Sequence, residues 1–291
     1  MTSTTGTSRT MREWDRGRCA TGDNASLRWF RSGGDGPPLL LVHGFTDNAL
    51  YFSRAAEMLA NDWDVVAYDA RGHGGSDRAA DTFDDALRVS DLVAVVEALG
   101  LERPAMMGHS MGASTIALAV GANPGIARAV VLEDPAWWET PIPATDEEAA
   151  QQEAIRRSGN TAWRDWVAWM QQAPRNEALA ARRSDSPLWS EDDVALSLDS
   201  RMEVQLDLFE HFPSVRAPWR TVVPLVDCPT LLVLGDNVAG AIITPELATE
   251  ASTLNPLIVS AHIGGAGHAI RYDRFEPFMG AVVAFLADHR N

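Results

Sequence analysis

The chain has no lysine: its 291 residues carry 24 arginines as the only Lys or Arg side chains. A Schiff-base nucleophile, a P-loop phosphate contact and a lysine general base all need the lysine amine, so these chemistries are excluded. Forty acidic residues give a formal net charge of −16. Nucleic acids and anionic membranes are bound through clustered Lys and Arg, and this charge argues against both as partners. We expect a small-molecule substrate and Ser, His and carboxylate chemistry.

Cysteine is also scarce, and long hydrophobic runs are absent. Cys19 and Cys228 are the only two cysteines, and no histidines lie near them at metal-ligand spacing. We therefore expect no disulfide framework, no metal and no cofactor. No run of about 18 apolar residues occurs, and residues 1–23 lack the apolar segment of a signal peptide. A cytoplasmic location is predicted, and the sequence leaves the oligomeric state open.

What is present is the composition of a globular protein, 46% hydrophobic and 22% charged. From Leu39 onward, apolar strands such as LLLV, VVAY and AVVLE alternate with amphipathic helices. This alternation predicts an α/β fold with a mostly parallel central sheet and helices on both faces. The strand pattern stops where a charged, Trp-bearing helical stretch is inserted. The predicted organisation is a flexible N-terminal tail (1–23), a first part of the core (24–139), a helical cap (140–222) and a second part of the core (223–291).

A nucleophile motif, Gly-His-Ser-Met-Gly, occupies residues 108–112. It follows the apolar strand AMM and precedes the small-residue helix ASTIALAV, which is the strand–turn–helix context that a G-x-S-x-G motif requires. Side chains at the flanking glycine positions would collide with the neighbouring strand and helix. We expect Ser110 to be the nucleophile, presented at the carboxyl edge of the sheet above the positive end of the following helix.

Acyl transfer also needs hydrogen-bond donors for the oxygen that becomes negative. In this arrangement one donor is the backbone N–H of the residue after the nucleophile, Met111. The second is expected from the loop after the earlier strand LLLV, where the turn His-Gly-Phe places the Phe45 N–H. His43, at the start of that turn, is expected to brace the loop.

The expected general base is His268, in the glycine-rich segment GGAGHAIR that follows the last strand and precedes the final helix. Its loop position gives it the freedom to reach Ser110. The other candidates lie in a turn, inside the nucleophile motif, in the cap, within a strand and at the chain end: His73, His109, His211, His262 and His289.

Two aspartates are candidates for the acid that orients the base. Asp134 ends the strand AVVLED, and Asp236 follows the strand TLLVLG. Both give the chain order serine, acid, histidine, so the order does not choose between them. Glu133 is set aside because alternation along a strand sends its side chain to the opposite face. Asp69, in VVAYDARGHGGS, is expected to fix its own loop with Arg71.

Taken together, these motifs resemble the α/β-hydrolase superfamily. The resemblance runs from about Leu27 to the C terminus and includes GHSMG around Ser110, HGF at 43–45, D-x-R-G-x-G-x-S from Asp69 to Ser76, and GAGHAIR around His268. It implies the α/β-hydrolase fold with a Ser-His-Asp triad and a cap.

The resemblance also bears on the choice of acid. In many members the acid lies three residues after the glycine that ends the strand before the penultimate helix, and here that position is Val238. Another branch, similar to haloalkane dehalogenases and zearalenone-type lactonases, carries it after the preceding strand, where Asp134 stands. Asp134 is therefore favoured, with Asp236 as the alternative. A serine nucleophile argues against dehalogenase or epoxide hydrolase chemistry, which forms an ester on a carboxylate.

Aromatic residues are concentrated in the cap, since seven of the ten tryptophans lie between residues 137 and 219. Trp163, Trp166 and Met170 share one helical face. With Trp138 they are candidates to line a substrate pocket, although the same face also suits packing of the cap onto the body. Tryptophans that line a pocket would favour a bulky, apolar or aromatic substrate. Since the negative charge is spread evenly over cap and body, we also expect this substrate to be neutral.

The predicted activity is hydrolysis of a carboxylic ester or lactone through an acyl-enzyme. Two alternatives stay open at this point. One is carbon–carbon bond hydrolysis or cofactor-free perhydrolysis on the same scaffold, and the other is a ligand receptor without catalysis.

Overall fold

The computed structural model describes residues 9–80, 82–138, 143–211 and 218–290. In this part of the chain, eight strands form one sheet: β1 (Asp15–Ala20), β2 (Ser26–Arg31), β3 (Pro38–Val42), β4 (Asp64–Tyr68), β5 (Ala105–His109), β6 (Ala129–Glu133), β7 (Thr230–Leu234) and β8 (Ile258–His262). The strand order is β1-β2-β4-β3-β5-β6-β7-β8. All neighbouring pairs from β4 to β8 are parallel, and only the pairs β1–β2 and β2–β4 are antiparallel.

Helices connect the parallel strands and fill the inserted stretch. They are α1 (Ser53–Leu59), α2 (Asp85–Ala98), α3 (Met111–Ala122), α4 (Asp146–Gln172), α5 (Arg175–Asp185), α6 (Glu191–Met202), α7 (Leu208–His211), α8 (Trp219–Val222), α9 (Pro245–Leu254), α10 (Ile270–Asp273) and α11 (Phe275–Asp288). The predicted α/β fold with a mostly parallel sheet is confirmed. Helices α4 to α8 lie within residues 140–222, the stretch that the sequence assigned to the cap, and we keep that name for it.

Local sequence signals explain several helix ends. Pro245 starts α9 after the Thr244 N-cap, whose side chain accepts a hydrogen bond from the Leu247 N–H. Gly100 ends the α2 segment with a positive φ of 61°, the left-handed conformation that glycine adopts at low cost. The sequence predicts both ends, because Thr244 followed by Pro245 is a typical helix start and Gly100 follows the amphipathic stretch that ends at Leu99.

The N-terminal segment departs from the sequence interpretation, which placed residues 1–23 in a flexible tail. Strand β1 pairs with β2 along its whole length, from Asp15 opposite Arg31 to Ala20 opposite Ser26. Only Cys19 of this edge strand is buried. Its sequence, DRGRCA, lacks the apolar alternation by which strands are recognised, and the sequence interpretation therefore missed it. Residues 1–8 of the predicted tail lie outside the described residues.

Apolar side chains cover both faces of the sheet, as the alternation along β3 shows. Leu40 and Val42 pack in one cluster with α2, α3 and cap residues, while Leu39 and Leu41 pack in a second cluster with α1 and α11. Because β3 to β8 run parallel, their carboxyl ends lie at one edge of the sheet. None of the helices in the described part of the chain is long and apolar enough to cross a membrane.

Candidate active site

Ser110 lies on a strained turn between β5 and α3. Its backbone has φ 52° and ψ −115°, an unfavourable conformation for a residue with a Cβ. A Cβ on Gly112 would lie 2.1 Å from the Val42 carbonyl oxygen, and one on Gly108 would lie 2.7 Å from the Ala113 nitrogen. The two glycines are thus required by close packing against β3 and α3, which is the collision expected from the motif.

His268 lies beside Asp134, with 2.6 Å between Nδ1 and the Oδ2 carboxylate oxygen. The Asp134 side chain is fully buried, whereas 36% of the His268 side chain is exposed. Two backbone donors fix the carboxylate: the N–H groups of Ile242 and Ile243 reach it at 2.9 Å. A carboxylate held in this way presents a fixed acceptor to the imidazole.

Asp236 has a different set of partners. Its carboxylate lies 2.7 Å from His262 Nε2 and accepts a 2.7 Å hydrogen bond from the Gly265 N–H. The backbone bond from Gly265, followed by the contact with His262, lowers the pKa of Asp236. Val238, at the other position considered for an acid, is completely exposed. The structure therefore brings Asp134, and not Asp236, into contact with His268.

Glu133, which the sequence set aside as the acid, has Arg271 as its partner. Its carboxylate accepts bonds from the Arg271 backbone N–H, at 2.9 Å, and from the guanidinium Nη1, at 2.5 Å. Both side chains are almost completely buried. Because Arg271 is three residues after His268, this ion pair ties the segment that carries His268 to the strand end that carries Asp134.

The turn after β3 lies beside the nucleophile motif. Phe45 is buried, and Met111 is the first residue of α3, where backbone N–H groups have no intrahelical acceptor. The Ala70 N–H donates to His43 Nε2 at 2.9 Å, so Nδ1 carries the proton and donates to the Gly44 carbonyl at 2.7 Å. Burial lowers the pKa of His43. His43 is therefore a neutral brace of this turn.

Asp47 and His109 form a buried pair that sequence reasoning missed. His109 Nδ1 lies 3.2 Å from the Asp47 carboxylate, and its Nε2 lies 3.0 Å from the His268 carbonyl oxygen. Burial alone would raise the pKa of Asp47, but the contact with His109 and the nearby arginine charges hold it well below its usual range. The only sequence signal was an aspartate two residues after the HGF turn. The pair connects that turn, the nucleophile motif and the His268 loop.

Asp69 fixes its own loop, as expected, but its basic partner differs from the expected one. The carboxylate accepts hydrogen bonds from Arg28 and from the Gly75 N–H. Arg71 instead pairs with Asp91 and Asp23. The sequence interpretation missed the contact between Arg28 and Asp69 because the two residues are far apart in the chain. Arg28 lies on β2 and Asp69 directly follows β4, and folding pairs these two strands.

Aromatic rings surround the Phe45 turn. Phe45, Trp163 and Phe209 contact one another with centroid distances of 4.9 to 5.2 Å. Trp137, three residues after Asp134, stacks on Trp219 at 5.4 Å. Phe45, Phe209, Trp137 and Trp219 are buried in the same hydrophobic cluster, and the partly buried Trp163 packs against it.

The other candidate pocket residues occupy varied positions. Trp166 is half-buried with the Arg182 guanidinium 5.5 Å from its ring centroid. Met170 is fully buried in the core, and 48% of Trp138 is exposed. Trp163 is thus the candidate that contacts the Phe45 turn directly.

Comparison with known proteins identifies the family and the fold. The family model for the alpha/beta hydrolase fold matches residues 37–202. The chain is 29% identical over 276 residues to N-formylmaleamate deformylase of Pseudomonas putida, covering 90% of this chain and 92% of that protein.

Two solved structures share the fold. The crystal structure of E-2-(acetamidomethylene)succinate hydrolase has a TM-score of 0.74 at 21% identity, covering 94% of this chain and 99% of that one. An esterase from Rhodococcus sp. ECU1013 has a TM-score of 0.72 at 20% identity, again covering 94% and 99%. The chain belongs to the α/β-hydrolase family of enzymes.

Proposed function

We propose that this protein is a serine hydrolase that cleaves a carboxylic ester or lactone of a bulky, apolar or aromatic small molecule. The observation that carries the proposal is the 2.6 Å contact between His268 and the buried Asp134, beside the strained turn of Ser110. Strained backbone and an acid-supported histidine are typical of nucleophile sites.

In the proposed cycle, His268 accepts the Ser110 hydroxyl proton as the oxygen attacks the substrate carbonyl carbon. Asp134 keeps the proton on Nδ1 and stabilises the charged imidazolium. The Phe45 and Met111 N–H groups donate to the oxygen that becomes negative. When the carbonyl re-forms, the alcohol leaves with the proton from His268, and Ser110 carries the acyl group. Water then attacks the acyl-enzyme while His268 accepts a proton from it. The bond between the acyl group and Ser110 breaks, the carboxylic acid leaves and His268 returns the proton to the Ser110 oxygen.

Two features support a neutral, apolar substrate. The Phe45, Trp163 and Phe209 rings stand next to the proposed oxyanion donors, so an acyl or aryl group bound there would contact aromatic faces. The net charge of −16 also disfavours the approach of anions.

We propose that neither nucleic acid nor membrane is a partner and that the protein works in the cytoplasm.

The test is covalent labelling by a fluorophosphonate probe together with hydrolysis of p-nitrophenyl esters and aryl lactones. We expect the folded wild-type protein to be labelled once per chain, and Ser110→Ala to abolish both labelling and turnover. Absence of labelling in the folded wild type would favour the receptor alternative. Labelling with dienone cleavage or peroxide-dependent halogenation, but without ester hydrolysis, would favour the other reactions on the same scaffold.

A second candidate is hydrolysis of an acylated amine. It is favoured by the relative that matches nine-tenths of the chain, which is a deformylase named for an N-formyl substrate. The same residues would serve, with His268 protonating the departing nitrogen. Assays of matched esters, N-formyl amides and N-acetyl amides, each with the Ser110→Ala control, would rank the two functions by kcat/KM.

A further inference from the structure

The loop that carries His268, residues 264–268, is called the base loop here. Asp236 makes two contacts with it: its carboxylate accepts from the Gly265 N–H, and its own N–H donates to the Ala266 carbonyl, both at 2.7 Å. His109 contacts the His268 carbonyl. Finally, the Gly267 N–H donates to Asp273 Oδ2 at 2.7 Å. All four contacts are made by residues of the α/β core, but Asp273 also contacts the cap.

The second oxygen of Asp273 is occupied by the cap. The indole Nε1–H of Trp189 donates to Asp273 Oδ1 at 2.7 Å. Trp189 lies between α5 and α6, whereas Asp273 is the last residue of α10. One carboxylate therefore holds a cap side chain with one oxygen and the base loop with the other.

Packing keeps the indole in place. Trp189 is 7% exposed and stacks on Tyr272 with a centroid distance of 4.7 Å and an interplanar angle of 29°. Tyr51 and Val194 complete the cluster, and Ala269, the neighbour of His268, packs against it. A shift of α5 and α6 would therefore move the ring that bonds to Asp273.

The base loop has little side-chain packing of its own to resist such a shift. Gly267 has no side chain, and a Cβ there would lie 2.3 Å from the Ala239 carbonyl oxygen. Hydrogen bonds to the backbone of the loop consequently fix it, and the bond from Gly267 to Asp273 acts on the residue directly before His268. Loss of a shared partner changes the position and strength of the remaining bond in such a network.

We propose that Trp189 and Asp273 are positioning residues that make the placement of His268 depend on the seating of the cap. This inference rests on the proposed function, because it takes His268 as the general base. The cap then does more than cover the substrate: when it is seated, Trp189 holds Asp273 in the orientation that anchors Gly267. When it is displaced, the base loop loses this anchor and proton transfer slows.

The test is Trp189→Phe, which removes the N–H donor and keeps an aromatic ring for stacking on Tyr272. We expect amide hydrogen exchange at Gly267 to quicken about fivefold and kcat for p-nitrophenyl butyrate to fall about fivefold with KM nearly unchanged, the effect of one lost hydrogen bond. Asp273→Asn leaves a single acceptor oxygen for two donors and is expected to reproduce both changes.

Trp14→Phe is the matched control. Trp14 is also buried, and its Nε1–H donates to the Arg9 carbonyl at 3.2 Å, with no bond to the base loop. We expect neither Gly267 exchange nor kcat to change. The proposal is overturned if Trp189→Phe leaves Gly267 exchange at the wild-type rate, or if Trp14→Phe lowers kcat equally. Hydrogen exchange needs no substrate, so it decides the coupling even if the wild type hydrolyses no ester, a result that would sink only the proposed function.

Discussion

At the scale of single residues, the geometry around His268 separates two aspartates that have the same place in the chain order. Asp134 is buried, receives two backbone N–H bonds and touches His268. Asp236 is half-buried and braces the loop through Gly265. The first position suits an acid that sets the imidazole tautomer, and the second suits a structural support.

Asp134→Asn and Asp236→Asn, made as single variants, are expected to differ greatly. An amide at 134 favours the wrong imidazole tautomer, and kcat should fall by about 10³ to 10⁴. An amide at 236 should cost less than about tenfold, because only a loop contact is weakened. The measurement is kcat for p-nitrophenyl butyrate, and it is compared between the two variants after thermal unfolding shows that they are equally stable. Equal, small losses in the two variants would contradict the assignment of Asp134.

At the scale of elements, the sequence predicted those parts whose signals are local. The Thr244–Pro245 start of α9, the Gly100 end of α2 and the strand–turn–helix around Ser110 are each encoded within a few residues. Strand β1 was missed because an edge strand needs no apolar alternation.

Long-range partners were not predictable in the same way. The contact of Asp69 with Arg28, the pair of Asp47 and His109, and the bond between Trp189 and Asp273 join residues that are distant in the chain. Local patterns do not specify which of several acidic or basic side chains meet. For the same reason Asp134 was favoured only through a resemblance, and its role stays a prediction.

A buried ion pair between Glu133 and Arg271 links β6 to α10. Glu133→Gln would leave the buried Arg271 guanidinium without a carboxylate, and an unpaired buried charge costs about 3–5 kcal/mol. We expect a large fall in the urea midpoint. The control is Glu250→Gln, whose partner Arg220 lies at the surface, and it should leave the midpoint unchanged. Similar midpoints for the two variants would show that the buried pair is not structural.

At the scale of the whole molecule, buried histidines give stability a dependence on pH. Burial lowers the pKa of His73 to about 4 from the ordinary 6.5, and burial also lowers the pKa of His43. Between pH 4 and pH 6.5, His73 is protonated in the unfolded chain and neutral in the folded chain. Its contribution to the free energy of unfolding is therefore complete above pH 6.5 and is lost as the pH falls toward 4.

For His73 the expected slope is about 1.4 kcal/mol per pH unit over that interval, and His43 contributes a slope of the same sign below pH 6.5. Urea unfolding at pH 8, 7, 6 and 5 would measure it. Asp47 and Asp23 have pKa values lowered from the ordinary 3.8, so their contribution is lost mainly as the pH falls below that value. Asp91, whose pKa is raised by burial, acts in the opposite direction to the histidines. A free energy of unfolding that stays constant from pH 7 to pH 5 would contradict the assignment of both histidines as buried and neutral.

The surroundings of Arg271 determine whether lysine can replace arginine at this position. Its guanidinium lies 4.2 Å from the centroid of Phe52 and 4.8 Å from those of Tyr51 and Tyr272, with Glu133 bound at its end. A flat, delocalised cation fits between rings, whereas an ammonium is compact and strongly hydrated. Substitution by lysine is therefore expected to leave the free energy of unfolding nearly unchanged at surface arginines such as Arg78 and to lower it at Arg271. Lysine is thus tolerated on the exterior of this chain and not at this point of its interior.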